Sequence, residues 1–137
     1  MNGSFSILLV EDDVVDVMSV RRALRELNAH NVLTVAGNGE EALARLENPA
    51  HPLPGIILLD LNMPRMNGID FLKILKNNEK FRRIPAVVLT TSKEEKDRLE
   101  SFNLGAAGYM VKPLEFPGFV EVLRTIQRYW NLSEMPP

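Results

Sequence analysis

Five short apolar runs alternate with longer amphipathic runs along the 137-residue chain. The short runs are rich in aliphatic and β-branched residues, and they predict strands at residues 6–10, 32–36, 55–59, 86–90 and 108–111. Alternating strands and helices predict an α/β fold with a parallel sheet, because parallel neighbours need a crossover and a helix usually supplies it. Runs that are apolar throughout, such as IILL and AVVL, favour a sheet covered on both faces.

The amphipathic runs predict five helices, each with one apolar face directed at the sheet. The residues expected on these faces are Val14, Val17, Met18, Leu24 and Leu27; Ala42, Leu43 and Leu46; Ile69, Leu72, Ile74 and Leu75; Leu99, Phe102 and Leu104; and Phe119, Val120, Leu123 and Ile126.

Polar residues mark the expected starts of several helices. Asn38 with Glu41, and Ser92 with Glu95, have the spacing of a capping box, in which two side chains satisfy free amides. Asp13 precedes the first helical run and is interpreted as its N-cap, a position that aspartate favours.

Composition excludes several classes of function. The formal net charge of −2 argues against a general nucleic-acid binder, which usually carries a basic face. The absence of cysteine excludes disulfides, thiolate metal sites and cysteine nucleophiles. No apolar stretch approaches the roughly 20 residues of a membrane span, and the N-terminus lacks the basic start of a signal peptide. We therefore expect a cytoplasmic protein without a direct nucleic-acid or membrane partner.

Ionisable and hydroxyl side chains stand where the predicted strands end. Glu11 and Asp12 follow the first strand, Asp60 follows the third, Thr90 ends the fourth and Lys112 follows the fifth. Ligands of parallel α/β sheets bind at the carboxyl ends of the strands, so these side chains are expected to meet there. Crowded carboxylates repel one another unless a cation intervenes, and oxygen ligands of this kind suit Mg²⁺.

Taken alone, Asp60 could equally be a helix cap or a catalytic residue. Ser92, taken alone, is best explained as a helix cap. The presence of carboxylates, a hydroxyl and an ammonium at one edge of the sheet favours a reactive site instead. An aspartate beside Mg²⁺ and an ammonium can accept a phosphoryl group, because that transfer depends mainly on positioning and on neutralising charge.

Four motifs, in this order, resemble the receiver domain of two-component response regulators: ILLVEDD, IILLDLNMPRMNG, VVLTTS and GYMVKP. The resemblance covers about residues 6–130. It implies a flavodoxin-like (βα)5 three-layer sandwich with five parallel strands in the order 2-1-3-4-5. Residues 1–137 are expected to form a single receiver domain, with a core at residues 6–130 and a C-terminal tail at residues 131–137.

The resemblance also implies roles for individual residues. Asp60 would be the phosphoacceptor, Thr90 the switch hydroxyl and Lys112 the ion-pair partner of the phosphoryl group. Tyr109 would be the aromatic switch, and the bond between Lys112 and Pro113 is typically cis in this family.

The cofactor implied by the resemblance is Mg²⁺. Its implied ligands are Glu11 acting through water, Asp12, Asp60 and the backbone carbonyl of Asn62. Whether Asp13 or Asp16 also assists this acidic pocket is left open by the sequence.

The implied protein is a stand-alone response regulator rather than an enzyme, catalysing only its own phosphorylation and dephosphorylation. Only seven residues follow residue 130, too few for an output domain. The donor would be the phosphohistidine of a sensor histidine kinase, and the closest resemblance is to small receivers paired with phytochrome-type kinases. The signal would leave through the fourth helix, fifth strand and fifth helix, a face that could also form a homodimer.

Two alternatives use a similar fold. A haloacid-dehalogenase-type phosphohydrolase also forms an aspartyl phosphate, but its nucleophile usually follows the first strand, whereas Asp60 follows the third. A flavodoxin-like cofactor binder needs a phosphate loop after the first strand, where acidic Glu11, Asp12 and Asp13 would repel a phosphate.

Overall fold

The computed structural model describes residues 5–132, in which five strands alternate with five helices. The strands are β1 (Ile7–Val10), β2 (Leu33–Ala36), β3 (Ile56–Leu59), β4 (Ala86–Thr90) and β5 (Gly108–Val111). The helices are α1 (Val14–Glu26), α2 (Gly39–Glu47), α3 (Gly68–Lys76), α4 (Glu95–Asn103) and α5 (Phe116–Leu132).

The predicted element boundaries are close to the observed ones. β4 and β5 have the predicted bounds, and the first three strands begin one residue later than predicted and end as predicted. The C-terminal tail was expected from residue 131, but α5 continues to Leu132. The rest of that predicted tail, residues 133–137, lies outside the described residues.

All five strands are parallel, in the order β2-β1-β3-β4-β5, which confirms the predicted topology. The strand ends are in register across the centre of the sheet. Val10 pairs with both Ala36 and Leu59, the last residues of the neighbouring strands. The residues that follow β1 and β3 therefore emerge side by side.

The sheet divides the core into two layers, as a three-layer sandwich requires. Alternate residues of a strand face opposite sides: Leu8 packs with the α2 and α3 side, which includes Phe71, whereas Leu9 packs with the α1 and α5 side, which includes Leu123. Both layers are apolar, so β1, β3 and β4 are buried along their whole length. Within residues 5–132, no helix has the length and hydropathy needed to cross a bilayer.

The predicted inward faces of α1, α3 and α4 are partly wrong. In α3, Ile74 is 42% exposed. In α1, Val14 and Met18 are 69% and 62% exposed. The buried residues are the predicted Leu24 together with Val20 and Ala23.

In α4, Leu99 and Phe102 are 49% and 44% exposed, and Ser101 is the one buried residue of the helix. The reason is position in the fold, since α4 packs beside β5, which is an edge strand, and against α3. α4 therefore packs at the edge of the sheet and not over its centre.

Two of the predicted N-caps are confirmed. The side chain of Asp13 accepts hydrogen bonds from the amides of Val15 and Asp16 at the start of α1. Asn38 Oδ1 accepts from the amide of Glu41 at 2.9 Å. The reciprocal bond of this capping box goes to the residue before the cap, because Glu41 Oε1 accepts from the amide of Gly37.

The predicted cap at Ser92 is wrong. α4 begins after Glu94, which makes no side-chain capping bond. Ser92 Oγ accepts from the amide of Glu94 at 3.3 Å and donates to Asp97 Oδ2 at 2.6 Å, so Ser92 connects the loop to the first turn of α4 without capping it.

Candidate functional site

The backbone places the predicted site residues directly at the carboxyl edge of the sheet. The parallel ladder continues one residue beyond the strands: the amide of Glu11 donates to Ala36, the amide of Asp60 donates to Val10, and the amide of Lys112 donates to Thr90. Buried, hydrogen-bonded backbone leaves little freedom to these positions. The sheet therefore fixes the three ionisable residues close together.

Glu11, Asp12 and Asp60 form one acidic cluster. One carboxylate oxygen from each lies within 4.8 Å of the others. Glu11 and Asp60 are each only 4% exposed, whereas Asp12 is exposed and opens the cluster to solvent.

This cluster fits a divalent cation. Asp60 Oδ1 is buried and has no hydrogen-bond partner among the residues that the structure describes. A buried carboxylate oxygen left unpaired costs free energy, and coordination of a hard cation would remove that cost. Three carboxylates and no nitrogen or sulfur ligand match the preference of Mg²⁺ or Mn²⁺.

The loop after β3 folds back tightly onto Asp60. The amide of Gly68 donates to the carbonyl of Leu61, and a Cβ added at Gly68 would lie 2.3 Å from the carbonyl oxygen of Asp60. Glycine is therefore required here by space. Asn62, on this loop, is exposed, and its implied role as a carbonyl ligand stays a prediction.

Lys112 extends into the acidic cluster and contacts three carboxylates. Its Nζ lies 2.7 Å from Glu11 Oε1, 2.7 Å from Asp16 Oδ2 and 3.5 Å from Asp60 Oδ2. The sequence left open whether Asp13 or Asp16 joins the pocket, and in the structure Asp16 contacts Lys112 while Asp13 caps α1. The cap position predicted for Asp13 is confirmed, whereas the contact of Asp16 with Lys112 had no sequence signal.

The pKa values in the cluster follow from burial and charge. Burial raises the pKa of the Glu11 carboxyl to about 7. The hydrogen bond from Lys112 lowers this pKa, and the negative charge of Asp60 raises it further. Burial lowers the pKa of the Lys112 ammonium, but hydrogen bonds to Asp16 and Glu11 and the charge of Asp60 outweigh burial and hold it above its ordinary value. Lys112 therefore remains charged at neutral pH.

Pro113, which follows Lys112, packs closely against the start of α5. A Cβ added at Gly118 would lie 2.3 Å from Cβ of Pro113, so the first turn of α5 packs closely on this proline. No cis peptide bond occurs among residues 5–132, so the cis Lys112–Pro113 bond expected from the family is not found. The trans form is the one that most X–Pro bonds adopt.

The predicted switch residues, Thr90 and Tyr109, lie on β4 and β5. Thr90 is fully buried at the end of β4, and its Oγ1 accepts from the amide of Ser92 at 3.4 Å. The Tyr109 hydroxyl donates to the carbonyl of Ser92 at 3.0 Å, and the ring lies 6.5 Å from that of Phe102 in α4. Tyr109 thus connects β5 to the loop before α4 rather than to the acidic cluster.

Comparison with known proteins identifies related sequences along nearly the whole chain. The family model described as the response regulator receiver domain matches residues 7–124. The probable methanogenesis regulatory protein FilR2 of Methanothrix harundinacea is 35% identical over 129 residues, which cover 92% of this chain and 83% of FilR2. The response regulator Rcp1 of Synechocystis is 34% identical over 128 residues, which cover 90% of this chain and 87% of Rcp1.

Solved structures share the fold. The phosphorylated cyanobacterial phytochrome response regulator RcpA has a TM-score of 0.91 and 30% identity, over 98% of this chain and 99% of that one. The Mn²⁺-bound form of Rcp1 has a TM-score of 0.88 and 33% identity, over 97% of this chain and 99% of that one.

These matches decide between the receiver domain and the two alternative families that the sequence analysis considered. Neither a haloacid-dehalogenase-type phosphohydrolase nor a flavodoxin-like cofactor binder is the family whose model fits, and that model extends from β1 into α5. Sequence and fold agree: the chain belongs to the response regulator receiver domain family of two-component signalling, and phytochrome response regulators are among the proteins that it resembles.

Proposed function

We propose that Asp60 accepts a phosphoryl group from the phosphohistidine of a sensor histidine kinase in a Mg²⁺-dependent reaction. The observation that carries this proposal is the setting of Asp60. It is buried, its Oδ1 has no hydrogen-bond partner among the described residues, and two further carboxylates and one ammonium surround it.

In the proposed reaction, a carboxylate oxygen of Asp60 attacks phosphorus and forms the new P–O bond. The P–N bond of the phosphohistidine breaks, and its electron pair leaves with the imidazole. The rate of phosphoryl transfer therefore depends mainly on how Asp60 and the phosphohistidine are positioned and on neutralising the charge of the phosphoryl oxygens. Lys112 supplies a buried positive charge for this, and the Thr90 hydroxyl would donate to a phosphoryl oxygen.

The residues proposed to hold Mg²⁺ are Glu11, Asp12, Asp60 and the carbonyl of Asn62. Bound there, Mg²⁺ would neutralise charge on the phosphoryl oxygens. Both oxygens of Glu11 already accept hydrogen bonds, one from Lys112 Nζ and one from the amide of Asp13 at 3.1 Å. This supports a contact through water for Glu11 and direct contacts for Asp12 and Asp60.

Acetyl phosphate with Mg²⁺ is expected to add one phosphoryl group to the intact protein, and removal of the metal with a chelator is expected to abolish the addition. The reason is that the phosphoryl group would otherwise enter a cluster of three carboxylates opposed by one lysine. Intact-mass spectrometry measures the product, and adding back Mg²⁺ after chelation is the control. Equal labelling in chelator would contradict the metal dependence.

We further propose that phosphorylation is reported through Thr90 and Tyr109 on the face formed by α4, β5 and α5. Ser92 makes hydrogen bonds to Tyr109, Thr90 and Asp97, so a shift of the loop after β4 would reach both β5 and α4. Such a signal would shift a pre-existing two-state equilibrium. The similarity to the cyanobacterial phytochrome response regulator RcpA supports a phytochrome-type kinase as the donor.

A homodimer through this face is expected to form or strengthen in the presence of beryllofluoride and Mg²⁺. The face leaves several large apolar side chains uncovered: Leu99, Phe102, Val111, Leu114 and Tyr129. Sedimentation velocity with and without the phosphoryl analogue measures the association, and Leu99→Glu should reverse it by placing a charge in the apolar contact. Monomers under both conditions would refute the dimer.

A further inference from the structure

Lys112 is shared unequally among three carboxylates. Its Nζ is 2.7 Å from Glu11 and 2.7 Å from Asp16, but 3.5 Å from Asp60. The two short distances are those of charge-assisted hydrogen bonds, whereas the third exceeds that range. An ammonium has three hydrogens to donate, and two of them are directed at groups other than the proposed phosphoacceptor.

Asp16 differs from the other two partners of Lys112. It is outside the cluster whose oxygens could share a cation, and its side chain is 20% exposed, against 3% for Glu11 and 5% for Asp60. It belongs to the first turn of α1, where Asp13 Oδ1 accepts from its amide at 3.3 Å. The contact of Asp16 with Lys112 is therefore set by the capped helix and not by the edge of the sheet.

We infer that Asp16 is a positioning residue that competes with Asp60 for the Lys112 ammonium and thereby opposes formation of the phosphorylated state. This inference rests on the proposed function. A phosphoryl group on Asp60 would add negative charge, and one of its oxygens would be a further acceptor for the ammonium, which in this structure makes its short contacts to Glu11 and Asp16 and not to Asp60. The carboxylate of Asp16, at 2.7 Å from Nζ, retains the ammonium on the side of α1.

The test is the affinity for beryllofluoride, a phosphoryl analogue, in saturating Mg²⁺. Asp16→Asn keeps the shape and removes the charge, so it should bind the analogue about tenfold more tightly than the wild type, because the competing charge-assisted hydrogen bond is weakened. Bound beryllofluoride is followed by ¹⁹F NMR. Titrations at two saturating Mg²⁺ concentrations should agree, which separates the effect from any change in metal affinity.

The matched control is Asp13→Asn. It removes the same charge from the same helix end, and asparagine retains the ability to cap α1. Because Asp13 is exposed and caps α1 instead of pairing with Lys112, the control should bind beryllofluoride within about twofold of the wild type.

Two further readouts report the contact itself. Asp16→Glu restores a carboxylate and should return the affinity towards that of the wild type. In the protein without analogue, the ¹⁵N resonance of Lys112 Nζ should shift in Asp16→Asn and not in Asp13→Asn. A merely structural role of Asp16 would not move this resonance selectively.

The outcomes separate this inference from the proposed function. If the wild type binds beryllofluoride and Asp16→Asn binds it no more tightly, competition by Asp16 is disproved and the role of Asp60 stands. The same holds if Asp16→Glu behaves like Asp16→Asn. If the wild type fails to bind the analogue, or Asp60→Asn binds it equally well, the proposed function itself fails.

Discussion

Asp60→Asn is expected to abolish labelling by acetyl phosphate while the protein remains folded. The amide has nearly the shape of the carboxylate but is a far weaker nucleophile, and it removes one of the three carboxylates proposed to attract the metal. Lys112 keeps two of its three partners, Glu11 and Asp16. The free energy of unfolding should therefore change by only about 1 kcal/mol.

The measurements are intact mass after incubation with acetyl phosphate and Mg²⁺, and urea denaturation of both proteins. Asp70→Asn, an exposed change in the first turn of α3, is the matched control and should be labelled like the wild type. Because the charge of Asp60 contributes to the raised pKa of Glu11, the Glu11 carboxyl should also titrate below its value of about 7 in Asp60→Asn. Labelling that persists in Asp60→Asn would place the phosphoacceptor elsewhere.

Gly68→Ala is expected to lower the free energy of unfolding by on the order of 3 kcal/mol, the upper range for overpacking a tight site. The added Cβ would lie 2.3 Å from the carbonyl oxygen of Asp60 and 2.7 Å from Cα of Leu61, and both obstacles are backbone that cannot rotate away. Relief of the clash must move the loop after β3, so phosphorylation of Asp60 should slow as well. Urea denaturation and acetyl phosphate labelling measure the two effects.

Gly108→Ala provides the comparison for the Gly68 substitution. Its added Cβ would approach only the side chain of Val87, at 3.5 Å, which is an ordinary contact distance. This variant should unfold at nearly the wild-type urea concentration. If the two alanine variants were equally stable, close packing of the loop on Asp60 would be disproved.

The strands and the acidic edge could be predicted from the sequence because both depend on local pattern. A buried parallel strand is a continuous apolar run, and the residue after it must emerge at the carboxyl edge of the sheet. Asp60 and Lys112 were therefore found by their position after IILL and YMV. The strand order, by contrast, followed from the resemblance to receivers and not from the runs themselves.

What the sequence could not decide depended on side-chain direction and on long-range packing. The sequence identified Asp13 as a cap, but it gave no sign that Asp16 contacts Lys112, because that contact joins residues far apart in the chain and depends on tertiary packing. Ser92 has the spacing of a cap, but α4 begins two residues later than that spacing implied. The Ser92 hydroxyl therefore donates to the side chain of Asp97 and does not cap the helix.

The weak anchoring of α4 has a consequence for local stability. With Ser101 as its one buried residue, this helix loses little apolar burial when it separates from the sheet. Its opening free energy should therefore be lower than that of α3, which buries Phe71, Leu72 and Leu75. The phosphoryl group proposed for Asp60 would then have to supply only a small free energy to displace this helix.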